Sequence, residues 1–206
     1  EALPENAARL DAVMLRSVAD AAALAHLLTD RRIGAVVIGP GLGQDATARA
    51  QLDAVLMSGV PAVCDADVFT LMAGNPEALR AAAVLTPHEG EFVRLFGTLA
   101  GSRIDRALAA AARAGTVVVL KGPDTVIAAP DGRAVVNTHA SPALATAGSG
   151  DVLAGLIAAL VAQGLAPFDA ACAGVWLHGD AGLRGGAGLI AEDLPELLPA
   201  VLAALA

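Results

Sequence analysis

The sequence predicts an α/β fold in which a mainly parallel β-sheet is covered by helices on both faces. Short β-branched runs alternate with stretches rich in alanine and leucine, the rhythm of parallel strands joined by helices. The chain has 206 residues, 56% of them hydrophobic, so it is long enough for a three-layer core. A Pro130-Asp131-Gly132 turn between two further β-branched runs indicates one antiparallel hairpin, near residues 125–136.

Six strands are predicted in chain order. They cover residues 35–38, 60–64, 83–85, 117–120, 125–128 and 133–136. The remaining carboxyl part is helical by pattern: apolar residues recur at helical spacing over 152–161, and further helices are predicted over 168–183 and 194–205. Since no linker or repeat interrupts the chain, we predict a single domain over residues 1–206.

Composition excludes several classes of partner. The net charge is −8, there is no basic run, and only 2% of residues are aromatic, which argues against a nucleic-acid surface. No uninterrupted apolar run approaches the roughly 20 residues of a membrane span, and no signal peptide is visible. Cys64 and Cys172 lack metal-ligand spacing and are predicted to be reduced core residues, which suits a cytoplasmic location.

The most informative stretch is TAGSGDVLAG at residues 146–155, a glycine-rich loop that leads into a helix. Gly148 and Gly150 allow the backbone to bring N–H groups close to an anion, and the helix adds the positive end of its dipole. Asp151 would be repelled by bound phosphates unless it accepts a proton, so it is a candidate general base. The alternative is an ordinary turn and helix cap. The motif alone does not exclude this alternative, because it is short and the Lys-containing Walker loop is absent.

Four other motifs follow predicted parallel strands: GPGLG at 39–43, DAD at 65–67, TPHEGE at 86–91 and KGPDT at 121–125. The carboxyl ends of parallel strands share one edge of a sheet, so these motifs should line one crevice. Lys121, the sole lysine of the chain, suits a phosphate contact. Simpler readings exist: Asp65, Asp67 and His88 could cap helices, and the glycines of the first motif could form only a tight loop. The other histidines, His26, His139 and His178, have no ligand spacing and are predicted to be structural.

Together and in this order, the five motifs resemble those of the ADP-dependent NAD(P)H-hydrate dehydratases, which have a ribokinase-like fold. The resemblance runs from about residue 3 to the carboxyl end. It implies a metabolite-repair lyase that restores NADH or NADPH from the hydrated forms NADHX and NADPHX. It also implies ADP or ATP as co-substrate, and Mg²⁺. The sequence leaves open whether ADP or ATP is the preferred nucleotide and whether NADH hydrate or NADPH hydrate is the preferred substrate.

The resemblance also implies roles for individual residues. Asp151 would be the catalytic base, and the N–H groups of Gly148, Ser149 and Gly150 would form the anion hole. The nucleotide would be held by Lys121, Gly122, Pro123, Asp124, Thr125 and Gly150. The hydrated cofactor would contact Gly41, Gly43, Asp65, His88, Glu91 and Asp151. No protein residue is assigned as a direct metal ligand.

The chain departs from the family pattern in two places. Ala147 stands where relatives often have glycine, and nothing before Ile33 reads as the opening strand, turn and helix of the family, so we expect an N-terminally incomplete domain. The resemblance further implies a homo-oligomer and, in parent proteins, a fused amino-terminal epimerase domain. Two alternative functions remain: a ribokinase-like kinase for a thiamin-precursor alcohol, and a nucleotide-binding module without catalysis.

Overall fold

A six-stranded mixed sheet forms the centre of the computed structural model, which describes residues 3–8, 10 and 12–205. The strands are β1 (Val36–Ile38), β2 (Ala62–Cys64), β3 (Val84–Leu85), β4 (Val117–Leu120), β5 (Thr125–Ala128) and β6 (Ala134–Asn137). They lie side by side in chain order. The pairs from β1 to β4 are parallel, whereas β4–β5 and β5–β6 are antiparallel. The predicted mainly parallel sheet and the β5–β6 hairpin are confirmed, and the antiparallel β4–β5 pairing is an addition to the prediction.

Helices connect and cover these strands. They are α1 (Leu3–Ala7), α2 (Ala21–Leu27), α3 (Ala46–Met57), α4 (Asp67–Leu71), α5 (Glu89–Phe96), α6 (Arg103–Ala114), α7 (Ser149–Ala162), α8 (Pro167–Gly185) and α9 (Asp193–Ala203). Two short 3₁₀ helices cover Pro76–Leu79 and Pro142–Leu144. Among the described residues, no helix combines the length and hydrophobicity that a membrane span requires. The ends of the predicted domain, residues 1–2 and 206, lie outside the described residues.

The sheet separates two hydrophobic cores. Side chains alternate along a strand, and in β4 Val118 and Leu120 join one core while Val117 and Val119 join the other. Helices α3 to α6 supply the first core, and α7 and α8 supply the second. A third cluster packs α9 against α8. The protein is therefore a three-layer α/β structure, and β4 is buried on both faces.

Among the differences between predicted and observed element boundaries, two have clear reasons. Strand β2 begins at Ala62 rather than residue 60, since Pro61 has no N–H for the ladder and contributes only its carbonyl, which accepts from Val36 N at 2.9 Å. Helix α7 begins at Ser149, three residues before the predicted start. Gly148 has φ of 81°, a left-handed conformation that turns the chain directly into the helix. Asp151 therefore lies within the first turn of α7.

Glycines of α8 allow this helix to pack closely on its neighbours. A Cβ atom at Gly179 would lie 1.8 Å from the carbonyl oxygen of His139, in the segment after β6. A Cβ atom at Gly174 would lie 2.7 Å from Cγ1 of Ile157 in α7. Both distances are shorter than van der Waals contact, so glycine is required at these positions. The close packing brings α8 against α7 and the segment after β6.

Candidate active site

A cavity of about 860 Å³ lies at the carboxyl ends of the parallel strands. Its wall contains predicted site residues from four separate segments: Asp65, His88, Glu91, Lys121, Gly122, Pro123, Thr125, Ser149, Gly150 and Asp151. The predicted residues Gly41, Gly43, Asp124 and Gly148 are not part of this wall. The structure thus brings together the DAD, TPHEGE, KGPDT and glycine-rich loop motifs in one place.

Lys121 and Asp65 form a largely buried ion pair at the cavity wall. Lys121 Nζ lies 2.9 Å from Asp65 Oδ1 and 4.0 Å from Glu91 Oε2, and the Asp65 side chain is 1% exposed. A Cβ atom at Gly150 would lie 3.1 Å from Lys121 Nζ, so glycine at this position lets the start of α7 approach the ammonium group. A positive charge therefore lies beside the amino-terminal end of a helix, and both attract anions.

The first turn of α7 presents free backbone donors to the same place. Ser149 N donates to Thr146 O across a long 3.4 Å contact, whereas no described residue accepts from the N–H of Gly150 or Asp151. Unpaired N–H groups at a helix start form an anion site. Among the predicted anion-hole amides, that of Ser149 is thus already engaged.

Asp151 follows these donors and faces the cavity. Partial burial raises the pKa of the Asp151 carboxyl, the negative charge of Asp65 raises it further, and the positive charge of Lys121 lowers it. A carboxylate with a raised pKa is a stronger proton acceptor than an ordinary surface aspartate. The location and the pKa direction both suit a general base.

His88 caps helix α5. Its Nδ1 accepts from the N–H of Gly90 at 3.0 Å and of Glu91 at 3.3 Å, while Glu91 Oε2 accepts from His88 N at 2.8 Å. This reciprocal capping box is the simpler of the two roles considered for His88. The ring nevertheless remains 59% exposed at the cavity wall, with Nε2 lying 3.4 Å from Glu91 Oε1. Capping and ligand contact are therefore compatible at this residue.

Arg103 of α6 supports the KGPDT loop, a role that the sequence analysis missed. One guanidinium nitrogen donates to the carbonyl oxygens of Leu120 and Lys121, each at 3.2 Å. A Cβ atom at Gly122 would lie 2.5 Å from the same nitrogen, so the loop passes directly over the guanidinium group. Arg103 Nε also lies 3.5 Å from Asp124 Oδ1, so the guanidinium group and this loop carboxylate attract each other. No local pattern links residue 103 to residue 121.

The GPGLG loop is fixed to the DAD motif rather than to the cavity wall. Asp67 Oδ2 accepts from Gly43 N at 2.9 Å. A Cβ atom at Gly39 would lie 1.8 Å from Asp65 O, so the end of β1 can pass β2 only with glycine there. Gly41 and Gly43 have φ of 65° and 85° and open space where a side chain would be. Ala66, between the two aspartates, has φ of 49°, a strained conformation for alanine.

Further residues without a predicted site role line the cavity, one of them, Thr146, within the glycine-rich loop itself. Asn137, Thr146 and His178 all line the cavity. His178 is buried, and its Nε2 lies 3.0 Å from both Oγ and the carbonyl oxygen of Ser149. Its one sequence signal is a polar side chain within the apolar and small residues of α8. In the described part of the chain, no three His, Cys, Asp or Glu side chains are grouped to hold a metal ion.

Comparison with known proteins identifies the family. A family model described as NAD(P)H-hydrate dehydratase matches residues 1–198. The chain is 43% identical over 183 residues to the bifunctional NAD(P)H-hydrate repair enzyme Nnr of Moorella thermoacetica, covering 82% of this chain and 34% of that protein. It spans about a third of the length of the first curated relatives that it matches.

Solved structures agree with the family model. The ADP/ATP-dependent NAD(P)H-hydrate dehydratase from Bacillus subtilis, co-crystallised with ATP/Mg²⁺, is 35% identical with a TM-score of 0.76, over 84% of this chain and 65% of that one. A ribokinase-like superfamily protein from Enterococcus faecalis V583 is 28% identical with a TM-score of 0.74, over 89% and 66% of the two chains. The ribokinase-like fold expected from the motifs is confirmed. The chain therefore belongs to the NAD(P)H-hydrate dehydratase family.

Proposed function

We propose that this protein catalyses the nucleotide-dependent dehydration of NAD(P)H hydrate, NADHX or NADPHX, back to NADH or NADPH. The observation that carries the proposal is Asp151: a carboxyl group with a raised pKa, in the first turn of α7, beside unpaired backbone N–H groups and the Lys121 ammonium. A base and an anion site in one cavity suit transfer of a phosphoryl group to a hydroxyl.

Phosphorylation solves the chemical problem of the dehydration. Hydroxide is a poor leaving group, whereas a phosphate ester departs readily as the ring nitrogen donates its electron pair. In the first step, Asp151 accepts the proton of the ring hydroxyl, the hydroxyl oxygen bonds to the terminal phosphorus of ADP or ATP, and the bond from that phosphorus to the bridging oxygen breaks. In the second step, phosphate leaves with the C–O bonding pair, and loss of a proton from the neighbouring carbon restores the dihydropyridine ring.

The other cavity residues would bind and orient the two substrates. Lys121 and the N–H groups of Gly150 and Asp151 would neutralise the charge on the transferring phosphoryl group. The KGPDT loop, supported by Arg103, would hold the nucleotide. The polar groups of the hydrated cofactor would contact His88, Glu91 and Asp65. The GPGLG loop, which packs against Asp65, would complete the cofactor side of the site.

Magnesium fits this site as a companion of the nucleotide. Mg²⁺ bound with a nucleotide takes phosphate oxygens, waters and at most one or two carboxylates, so a three-residue protein cage is not needed. The described residues contain no such cage, and we assign no direct protein ligand. When bound, Mg²⁺ would neutralise charge on the phosphates.

A cytoplasmic location, a homo-oligomer and an epimerase domain elsewhere in the parent protein belong to the same proposal.

The test is recovery of reduced-nicotinamide absorbance from NADH hydrate and NADPH hydrate with Mg²⁺, comparing ADP, ATP and no nucleotide, while free phosphate is measured in parallel. We expect recovery only with nucleotide, accompanied by one phosphate per reduced nicotinamide. Recovery without nucleotide would contradict the proposal. So would a stable phosphate ester formed from a thiamin-precursor alcohol without hydrate turnover, which indicates a kinase. Nucleotide binding without turnover of either substrate indicates a binding module.

The Asp151→Asn variant tests the base. Because asparagine has a similar shape but cannot accept the proton, we expect turnover to fall at least about 100-fold while nucleotide affinity and the circular dichroism spectrum stay unchanged. The matched control is Asp53→Asn, which removes an exposed carboxylate that pairs with Arg49 on α3 and should leave turnover unchanged. Turnover near the wild-type rate in Asp151→Asn would overturn the assignment of the base.

A further inference from the structure

Buried His178 contacts the start of α7 at the cavity wall, and nothing in the mechanism above uses it. The residue lies on α8 and is 8% exposed, and it reaches across to Ser149, the first residue of α7. Its Nε2 is 3.0 Å from Ser149 Oγ and 3.0 Å from the Ser149 carbonyl oxygen. Ser149 is two residues before Asp151 and also lines the cavity. The pair therefore lies within the proposed phosphoryl-transfer site.

The chemistry of the two oxygens determines which ring nitrogen carries the proton. A carbonyl oxygen can only accept, so Nε2 must carry the hydrogen and donate to Ser149 O. Without that hydrogen, the lone pairs of Nε2 and the carbonyl oxygen would face each other at 3.0 Å. Burial, assisted by the Lys121 charge and opposed by the bond to the Ser149 carbonyl, lowers the pKa of His178 to about 4. The ring is therefore neutral near pH 7, with its proton on Nε2.

This tautomer decides how the Ser149 hydroxyl can be used. A hydroxyl group has one hydrogen to donate and two lone pairs to accept with. Since Nε2 is a donor, Ser149 Oγ can only accept from it, and the hydroxyl hydrogen is directed elsewhere. Ser149 is 3% exposed, and its accessible side belongs to the cavity wall. A phosphoryl oxygen bound at the start of α7 would be the natural acceptor.

We propose that His178 is a positioning residue which, by donating from Nε2 to Ser149, directs the Ser149 hydroxyl hydrogen at the transferring phosphoryl group. The inference rests on the proposed function and deepens it. The backbone N–H of Ser149 already donates to Thr146 O and is not free for the anion. The Ser149 hydroxyl would supply a side-chain donor to the anion site instead. In this arrangement, Ser149 contributes through its hydroxyl and His178 acts only through Ser149.

A double-mutant cycle tests this dependence. We expect Ser149→Ala and His178→Leu each to lower kcat on the order of 100-fold, the loss typical for one donor to a developing anion, with little change in the KM for nucleotide. The double variant should be no slower than either single variant, because both remove the same donor. His178→Gln, whose amide can donate to both oxygens, should recover most of the rate. The control is His26→Gln, an exposed histidine on α2.

Several results would overturn the inference. They are wild-type kcat in Ser149→Ala, losses that multiply in the double variant, or a loss carried by the KM for nucleotide alone. If His178→Leu does not fold, Ser149→Ala and His178→Gln still decide the matter. The inference requires that Ser149→Ala lower kcat. It also requires that His178→Gln keep most of the wild-type kcat and the wild-type melting temperature.

A second measurement separates this inference from the proposed function. Nitrogen-15 NMR of the histidine rings reports the tautomer without any substrate, and the His178 signals are assigned by their absence in His178→Gln. We expect a neutral ring protonated on Nε2 from pH 7 down to about pH 5. A ring protonated on Nδ1 would overturn the inference whatever the activity. An Nε2–H ring in a protein that turns over no hydrate would refute only the proposed function.

Discussion

The properties of Asp151 depend on two neighbours of opposite charge. Asp65 and Lys121 form an ion pair, yet they act on the pKa of Asp151 in opposite directions: the carboxylate raises it and the ammonium lowers it. Partial burial is the largest cause of the raised pKa of Asp151, and the charge of Asp65 adds to it. A general base works best when its pKa approaches the working pH without exceeding it. We therefore expect Asp65 to tune the proposed base in addition to holding Lys121.

This tuning has a measurable pH dependence. The base must be ionised, so kcat should fall on the acid side as pH drops through the raised pKa of Asp151. In Asp65→Asn the negative charge of residue 65 no longer raises the pKa of Asp151 and no longer offsets the charge of Lys121, and both changes lower this pKa. We therefore expect the acid limb of the kcat–pH profile to move to lower pH, whatever happens to the plateau. The measurement is kcat at saturating substrates from pH 4 to 8, beside Asp53→Asn. An acid limb that moves to higher pH would contradict this account.

Helix α8 determines the geometry of the site from outside the sheet. Its glycines allow backbone-to-backbone approach to the segment after β6 and side-chain packing against α7, and His178 lies between these two contacts. In a close-packed interior, the addition of one methyl group forces neighbouring backbone to move. The position of His178 relative to Ser149 thus depends on small residues that touch no ligand.

Two glycine-to-alanine variants test this with opposite expected signs. Gly179→Ala places a Cβ atom 1.8 Å from a backbone oxygen, so we expect a loss of about 1–3 kcal/mol in unfolding free energy. Gly155→Ala, within α7, meets nothing within 4 Å and should gain about 0.5–1 kcal/mol through higher helix propensity. Urea denaturation measures both. Equal stability of the two variants would show that α8 does not pack as closely as the structure describes.

The start of α7 shows where local sequence reasoning reaches its limit. The glycine-rich loop and the helix after it follow from composition and apolar spacing, and both are present. The predicted start lies three residues too late, because Ser149, Gly150 and Asp151 are not apolar and so do not contribute to the apolar spacing that predicts the helix. The conformation of Gly148, which starts the helix, is a backbone property that the pattern of side chains does not encode. Moving the start places Asp151 in the first helical turn.

At the scale of the whole molecule, the mainly parallel sheet and the shared crevice followed from the alternation of strands and helices, since parallel strands end at one edge. The contacts of Arg103 and His178 did not. Each joins residues far apart in sequence, His178 to Ser149 across 29 positions and Arg103 to Lys121 across 18. Neither residue belongs to a recognisable local motif. Such contacts form only in the tertiary structure, where the helices pack on the sheet and on one another.

Nucleotide binding should stabilise the whole fold. Since the cavity joins segments from several elements, a ligand that binds only the folded state adds about 2.7 kcal/mol at 100 times its Kd. For a protein of this size, that corresponds to roughly 5–10 °C in melting temperature. We expect ADP with Mg²⁺ to produce this shift in the wild type and in Asp151→Asn. Lys121→Met should lose most of it, and its own melting temperature should fall because Asp65 is left buried without a partner. An undiminished shift in Lys121→Met would remove Lys121 from the nucleotide site.

The single lysine at the cavity wall also makes the protein suitable for covalent labelling. Lys121 is the sole lysine of the sequence, so an amine-reactive reagent has one side-chain target, and that target lies in the cavity. Apart from the α-amino group, a single acyl or fluorescent tag would report on this place alone. Its stoichiometry, read by mass spectrometry, would count empty sites directly, because a bound nucleotide would cover the amine.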